Sequence, residues 1–164
     1  MQELKQGQLL IDAPNVRDTL VQSFFGNIPH AKNIGIQFVS AEPYKSCLKI
    51  PYKKELVGNP VNGTIHGGVI ISIMDSVGGM AVFSSLVAME SIATLDLRVD
   101  YMKPAVVGQN IYAEAECYKL TQSIAFVKGI AYQNDKEDLV ATCMATFMRS
   151  SSSLPMPIMD TKND

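Results

Sequence analysis

The sequence predicts an α+β domain in which a curved antiparallel sheet wraps around one long central helix, with an additional helix at the N-terminal side. Three observations carry this expectation. The stretch 59–87, NPVNGTIHGGVIISIMDSVGGMAVFSSLV, opens on Asn, Pro and Gly turn chemistry, passes His66-Gly67-Gly68, and then stays apolar on nearly every side for about five turns. A helix without a polar face has to be enclosed. Downstream, residues 94–101, TLDLRVDY, alternate: Leu95, Leu97, Val99 and Tyr101 point one way and Thr94, Asp96, Arg98 and Asp100 the other, as in a sheet with one buried and one polar face. Three more strand-like runs, 109–120, 123–133 and 138–150, are joined by short polar connections at 121–122 and 134–137, which makes them antiparallel neighbours.

The remaining elements follow in chain order. Residues 14–27 form a plausible helix, entered through Ala13-Pro14, with Val16, Leu20 and Phe24 at helical spacing and Gly26-Asn27 as its stop. Pro29 is expected to break the chain. Two strands, 34–39 and 45–52, are joined through Ala-Glu-Pro-Tyr, and Ser46, Leu48, Ile50 and Tyr52 share a face of the second. Residues 57–65 read as a loop leading into the central helix. The order is thus two strands, the long helix and four strands: an extension at 1–28, one domain at 29–150 and a flexible tail at 151–164, rich in Ser and Pro.

Composition narrows the function. At 164 residues the chain makes one domain, long enough to bury roughly 70% of its unfolded surface. Its formal charge of −2, with basic residues scattered, lacks the electrostatic footprint of a nucleic-acid binder. Cys47, Cys117 and Cys143 are odd in number and sit inside strand-like runs, so they read as small buried hydrophobes in a reducing compartment. Residues 67–88 are long enough to span a bilayer, but four glycines, four serines, Asp75 and the absence of flanking basic or aromatic belts argue for burial under a sheet. With no secretory pattern at the start, the cytoplasm is the expected location.

The chemistry gathers on the central helix. At about 100° per residue, Gly68, Ser72, Asp75, Ser76 and Gly79 form one stripe, while Val69, Ile70, Ile73, Met74, Val77 and Met80 cover most of the rest. Asp75 is the sole ionisable group of this stretch, and a carboxylate inside an apolar helix is costly unless it has a task. His66 stands at the helix boundary, either hydrogen-bonding the turn or acting as a base. The only other histidine is His30, so no metal-ligand set forms. Gly67 and Gly68 either let the helix pack closely or present free first-turn N–H groups to a developing oxyanion. Gly67 and Asp75 are eight residues apart, about 12 Å along one helix. One carbonyl cannot lie within about 3 Å of both groups of one chain, so if both act in one step, two chains share the site.

These residues match a known pattern. The segments GNPVNGTIHGGVIISIMDSVGGMAV, ATLDLRVDYMKPA and TQSIAFVKGIAY resemble the hotdog-fold acyl-CoA thioesterases of the phenylacetyl-CoA (PaaI-like) type, over about residues 34–148. The resemblance implies a homodimer or a dimer of dimers (a homotetramer) with active sites at the subunit interface. It places the catalytic carboxylate on Asp75, as nucleophile or as general base for water, and the oxyanion donor on the Gly67 N–H. His66 becomes the family's histidine, and Thr94 the hydroxyl that assists the attacking water. Many relatives carry an Asn six residues before the His. That position is Pro60 here, so Asn59 and Asn62 are the candidates, with Asn59 carried forward. Gly68, Ser76 and Gly79 are the expected substrate-binding positions.

The expected activity is hydrolysis of an acyl-CoA thioester to a carboxylic acid and free thiol, with coenzyme A as part of the substrate, no metal or other cofactor, and no nucleic-acid or membrane partner. Met74, Met80, Phe83 and Tyr101 are the expected walls for the acyl group. Two other readings stay open: a non-catalytic acyl-CoA sensor, and a hotdog enoyl-CoA hydratase or dehydratase, which needs a His with an acidic partner in a different loop.

Overall fold

The computed structural model describes residues 8–12, 21 and 28–153. The helix expected over 14–27 lies outside them except at Val21, as does the chain beyond residue 153. Rather than breaking the chain, Pro29 starts a short helix, α1 (Pro29–Ile34), because the first helical position needs no N–H and suits the fixed φ of proline. Gly35 ends it in the left-handed region at φ 80°, its N–H donating to the Ala31 and Lys32 carbonyls. The first strand therefore begins at Gln37 rather than Ile34. β1 (Gln37–Glu42) and β2 (Lys45–Ile50) form a hairpin closed by Pro43 and Tyr44.

The expected loop at 57–65 contains a small ribbon, β3 (Val57–Asn59) paired with β4 (Thr64–Ile65). Its tip is held by side-chain amides, since Asn59 Oδ1 accepts from the Val61 N–H at 3.0 Å and Asn62 Oδ1 from the Thr64 N–H at 3.1 Å. The ribbon delivers His66 to the start of the central helix, α2 (Gly67–Phe83). This helix ends four residues before the apolar run does. The reason is local: Ser84 Oγ donates to the Ala81 carbonyl at 2.9 Å and Ser85 Oγ to the Val82 carbonyl at 2.6 Å, turning the backbone out of the helix while keeping both serines buried.

The second half of the chain supplies β5 (Glu90–Tyr101), β6 (Ile111–Leu120), β7 (Ile124–Tyr132) and β8 (Leu139–Ser153). β5 starts before the expected residue 94, and β8 runs three residues beyond the expected end at 150. The six strands form one antiparallel sheet in the order β1-β2-β6-β7-β8-β5, so β1 and β5 are its edges. Arg149 Nε donates to Glu90 Oε2 at 2.7 Å and a second guanidinium nitrogen reaches Oε1, tying the far end of β8 to the start of β5.

The sheet can wrap α2 because its inner face carries many small residues. Ala113, Ala115, Ala125, Ala131, Ala141 and Ala145 are all buried on that side, and against them α2 packs Ile73, Met74, Val77 and Met80, each 0% exposed. The expected inner face of β2 is observed: Ser46, Leu48 and Ile50 are buried, and Ser46 Oγ donates to the Val77 carbonyl at 2.7 Å. All three cysteines are buried free thiols, and desolvation pushes Cys47 and Cys143 up to about 11.

β5 departs from simple alternation. Thr94 pairs with Phe147 and Asp96 with Thr146, so Leu95 is an extra residue without a partner, a β-bulge. The bulge reverses the phase of the strand: Thr94 lies on the same face as Leu97, Val99 and Tyr101, whose cross-strand partners are the inward Ala145, Cys143 and Ala141. Leu95, assigned to the apolar face by alternation, is 55% exposed.

Two stability outcomes follow. Ile73→Ala empties a fully enclosed site between helix and sheet and is expected to cost about 2–5 kcal/mol, read by chemical denaturation. Gly58→Ala would place a Cβ 2.7 Å from the His66 Cα, where backbone meets backbone and neither can yield cheaply. It is expected to lower stability by about 1–3 kcal/mol, visible as a lower melting temperature.

Candidate active site

The start of α2 is built by His66. Its backbone is extended, its Nδ1 accepts from the Gly68 N–H at 2.9 Å, and its carbonyl accepts from the Val69 N–H at 2.9 Å. The ring is thus a side-chain cap for the helix, which fits the turn-positioning role. Because Nδ1 accepts, a neutral ring carries its proton on Nε2. Neither the His66 ring nor its carbonyl takes the N–H of Gly67, so this donor is left at the positive end of the helix. On the other side Tyr101 Oη donates to the Gly67 carbonyl at 2.8 Å, fixing the end of β5 to the first helical turn. Burial raises the Tyr101 hydroxyl above the usual tyrosine range, keeping it a donor.

Asp75 sits two turns further along, half-buried on the stripe of small residues. Its Oδ1 accepts from Thr94 Oγ1 at 2.7 Å. This contact depends on the bulge at Leu95, which turns Thr94 toward the helix; the alternation of the sequence had assigned Thr94 to the opposite, polar face. Among the described residues no donor meets Asp75 Oδ2. Ser76 Oγ donates to the Ser72 carbonyl at 2.7 Å and Ser72 Oγ to the Gly68 carbonyl at 2.9 Å, so the serines of the stripe satisfy themselves along the helix.

The two ends of the constellation open into different clefts. Asp75, Ser76, Gly79 and Thr94 line one of about 430 Å³, whose apolar walls include Phe83, Met89, Ile92 and Phe147. Gly67, Ile70 and Tyr101 line another of about 410 Å³, with Lys103 at its edge. The unbroken helix between them keeps Gly67 and Asp75 about 12 Å apart, so one chain does not assemble both groups around one carbonyl. Met74 and Met80, expected as acyl walls, instead lie in the core at 0% exposure and face neither cleft, whereas Phe83 lines the first and Tyr101 the second. The Asn59 amide oxygen serves its own turn.

A larger concavity of about 680 Å³ lies on the outer face of the sheet and holds none of the expected site residues. Glu114 dominates it: burial pushes its carboxyl up, but hydrogen bonds from Lys136 and Tyr132 outweigh this and hold it below the usual carboxylate range. Among the described residues no three His, Cys, Asp or Glu side chains gather as metal ligands, and no helix is long and apolar enough to cross a membrane. One cleft residue escaped the sequence reading: His30, on α1, lines the Asp75 cleft and lies 3.0 Å from Ser72 Oγ. Its signal was slight, a histidine directly after Pro29.

Comparison with known proteins places the fold and the family. The family model described as the thioesterase superfamily matches residues 62–140, which hold His66, Gly67, Asp75 and Thr94. A protein of Pseudomonas aeruginosa with a solved crystal structure is 35% identical, covers 79% of this chain and 96% of its own, and superimposes with a TM-score of 0.72. The Escherichia coli PaaI protein of the phenylacetic acid degradation operon shares the fold at a TM-score of 0.72 and 16% identity, over 82% of this chain and 93% of its own. The medium/long-chain acyl-CoA thioesterase YigI of Escherichia coli is 26% identical over 140 residues, 77% of this chain and 89% of that protein. A relative from Halobacterium salinarum is 34% identical over 89 residues, and the matched region spans only 59% of that protein's length. Sheet, enclosed helix, His-Gly-Gly start and matched family model together place the chain in the thioesterase superfamily, with the hotdog fold.

Proposed function

We propose that this protein hydrolyses acyl-CoA thioesters to a carboxylic acid and free coenzyme A in active sites shared between two copies of the chain. The observation that carries the reading is the pair of Asp75 held by Thr94 and the Gly67 N–H left free, at two points of one helix that open into separate clefts. The names of relatives such as YigI and the mouse acyl-coenzyme A thioesterase 13 support the acyl-CoA class.

In this reading the Thr94 hydroxyl fixes one oxygen of Asp75 and leaves the other for a water molecule or for the acyl carbon itself. As general base, Asp75 takes a proton from water as the oxygen attacks the thioester carbon, a contribution of typically about 10²–10⁴ in rate. As nucleophile, it forms an anhydride that water then opens. In either case the carbonyl oxygen becomes an oxyanion and needs a donor, which is the Gly67 N–H of the other copy, reinforced by the helix dipole. The thiolate leaves and takes up a proton. Asn59 and the small residues Gly68, Ser76 and Gly79 belong to the same proposal, the last two as floor of the Asp75 cleft. Its apolar walls suit a hydrophobic acyl group.

The pairing of copies is supported by β5, a twelve-residue edge strand whose outer side has no partner strand among the described residues, and which exposes Leu95 and Tyr101. Such an edge is a template for a second strand.

Asp75→Asn is expected to reduce thiol release from acyl-CoA by at least about 10²-fold while the circular dichroism spectrum stays native. Full turnover in that variant would refute the role of Asp75, whereas tight acyl-CoA binding without thiol release by the native chain would refute the hydrolytic reading in favour of a sensor. Sharing of the site has its own test. Gly67→Pro deletes the N–H yet suits the first helical position, and the extended His66 before it tolerates proline. Each variant alone is expected to be inactive. Mixed after dissociation and reassembly, they form heterodimers with one intact site, recovering roughly one quarter of native activity. No recovery would mean that each chain works alone.

A further inference from the structure

The cleft beside Asp75 is not walled by α2 and the sheet alone. Ile28, His30 and Ala31 contribute to it from the segment that precedes the sheet. His30 Nε2 lies 3.0 Å from Ser72 Oγ. The Ser72 hydroxyl has a single proton, and that proton goes to the Gly68 carbonyl at 2.9 Å, an oxygen that can only accept. The imidazole must therefore be the donor in the contact with Ser72. A neutral His30 carries its proton on Nε2 and its lone pair on Nδ1, and among the described residues no group meets that second nitrogen.

Position gives this ring a task. Ser72 and Asp75 are three residues apart on α2, a spacing that puts side chains next to each other on one face, with about 5–6 Å between Cβ atoms. The ring is anchored one turn from the carboxylate, exposed at the edge of the same cleft, with a free acceptor.

We propose that His30 is a substrate-binding residue, latched to Ser72 through Nε2–H and accepting through Nδ1 a hydrogen bond from an N–H of the substrate. The proposal rests on the acyl-CoA reading, since the amide N–H groups of the pantetheine arm are the donors such a substrate carries closest to its thioester. His30 takes no part in bond making or breaking, and its contribution is to hold the arm while Asp75 acts.

The experiment separates binding from chemistry. Equilibrium binding of a non-hydrolysable S-alkyl-CoA thioether to the full chain is compared for the native protein, His30→Ala, Ser72→Ala, the double variant and His30→Gln. His30→Ala is expected to weaken binding about 5- to 10-fold, the worth of one hydrogen bond. Ser72→Ala, which releases the latch, moves binding the same way. The double variant is no weaker than the worse single one, because the two residues act as a unit. His30→Gln, which keeps a donor and an acceptor, recovers part of the loss. In turnover the loss falls on KM rather than kcat. A lower melting temperature with unchanged thioether binding would reduce His30 to a structural strut and overturn the proposal. Failure of the hydrolytic reading shows separately, as absence of thiol release from acyl-CoA by the native chain.

Discussion

A helix with no polar side has to be enclosed, and the protein is shaped by that demand. α2 carries Ile73, Met74, Val77 and Met80 at zero exposure, and it is surrounded by a sheet whose inner face is rich in alanine. Larger residues at Ala113, Ala131 or Ala145 would hold the sheet away from the helix and leave voids that cost stability. The enclosure is incomplete along one stripe, where Gly68, Ser72, Asp75 and Ser76 stay partly accessible. A hydrophobic requirement thus sets the architecture, and the half-buried carboxylate of Asp75 lies on the strip that the sheet does not reach.

Much of this was legible in the residues. The long apolar run after His66, the polar connections between later strands and the turn chemistry ahead of the run each reflect local physics: a helix that has to be enclosed, hairpin closure and turn-forming residues. The stripe on the helix and the cap at His66 were legible for the same reason. What escaped were effects set by distant partners or by competition between local signals. Ser84 and Ser85 end a run whose hydrophobicity continues, because their hydroxyls take the last carbonyls. Pro29 was read as a break when it is equally good as a first helical residue.

The site shows the same division. Asp75 stood out because a charge in an apolar helix is anomalous on sequence grounds alone. Thr94 did not, since strict alternation gives it the wrong face and only the pairing with β8 reveals the extra residue that corrects it. The resemblance to known relatives named Thr94 where the periodicity could not. His30 reaches the cleft through a contact across 42 positions of sequence, which a histidine directly after Pro29 signals only slightly. Met74 and Met80 are no walls of either cleft, because both lie off the stripe of small residues and are fully buried in the core.

The bulge at Leu95 divides β5 into two segments that run on opposite phases, like a text read in two frames. Upstream of it, even-numbered residues face the helix, and downstream the odd-numbered ones do. The two sites on α2 are held by one member of each phase, Thr94 on Asp75 and Tyr101 on Gly67. A change of length in this strand, unlike a change of residue, would set the two phases against each other. Either the hydroxyl at Asp75 or the one at Gly67 would face away from the helix, so the spacing between Thr94 and Tyr101 is set by both contacts at once.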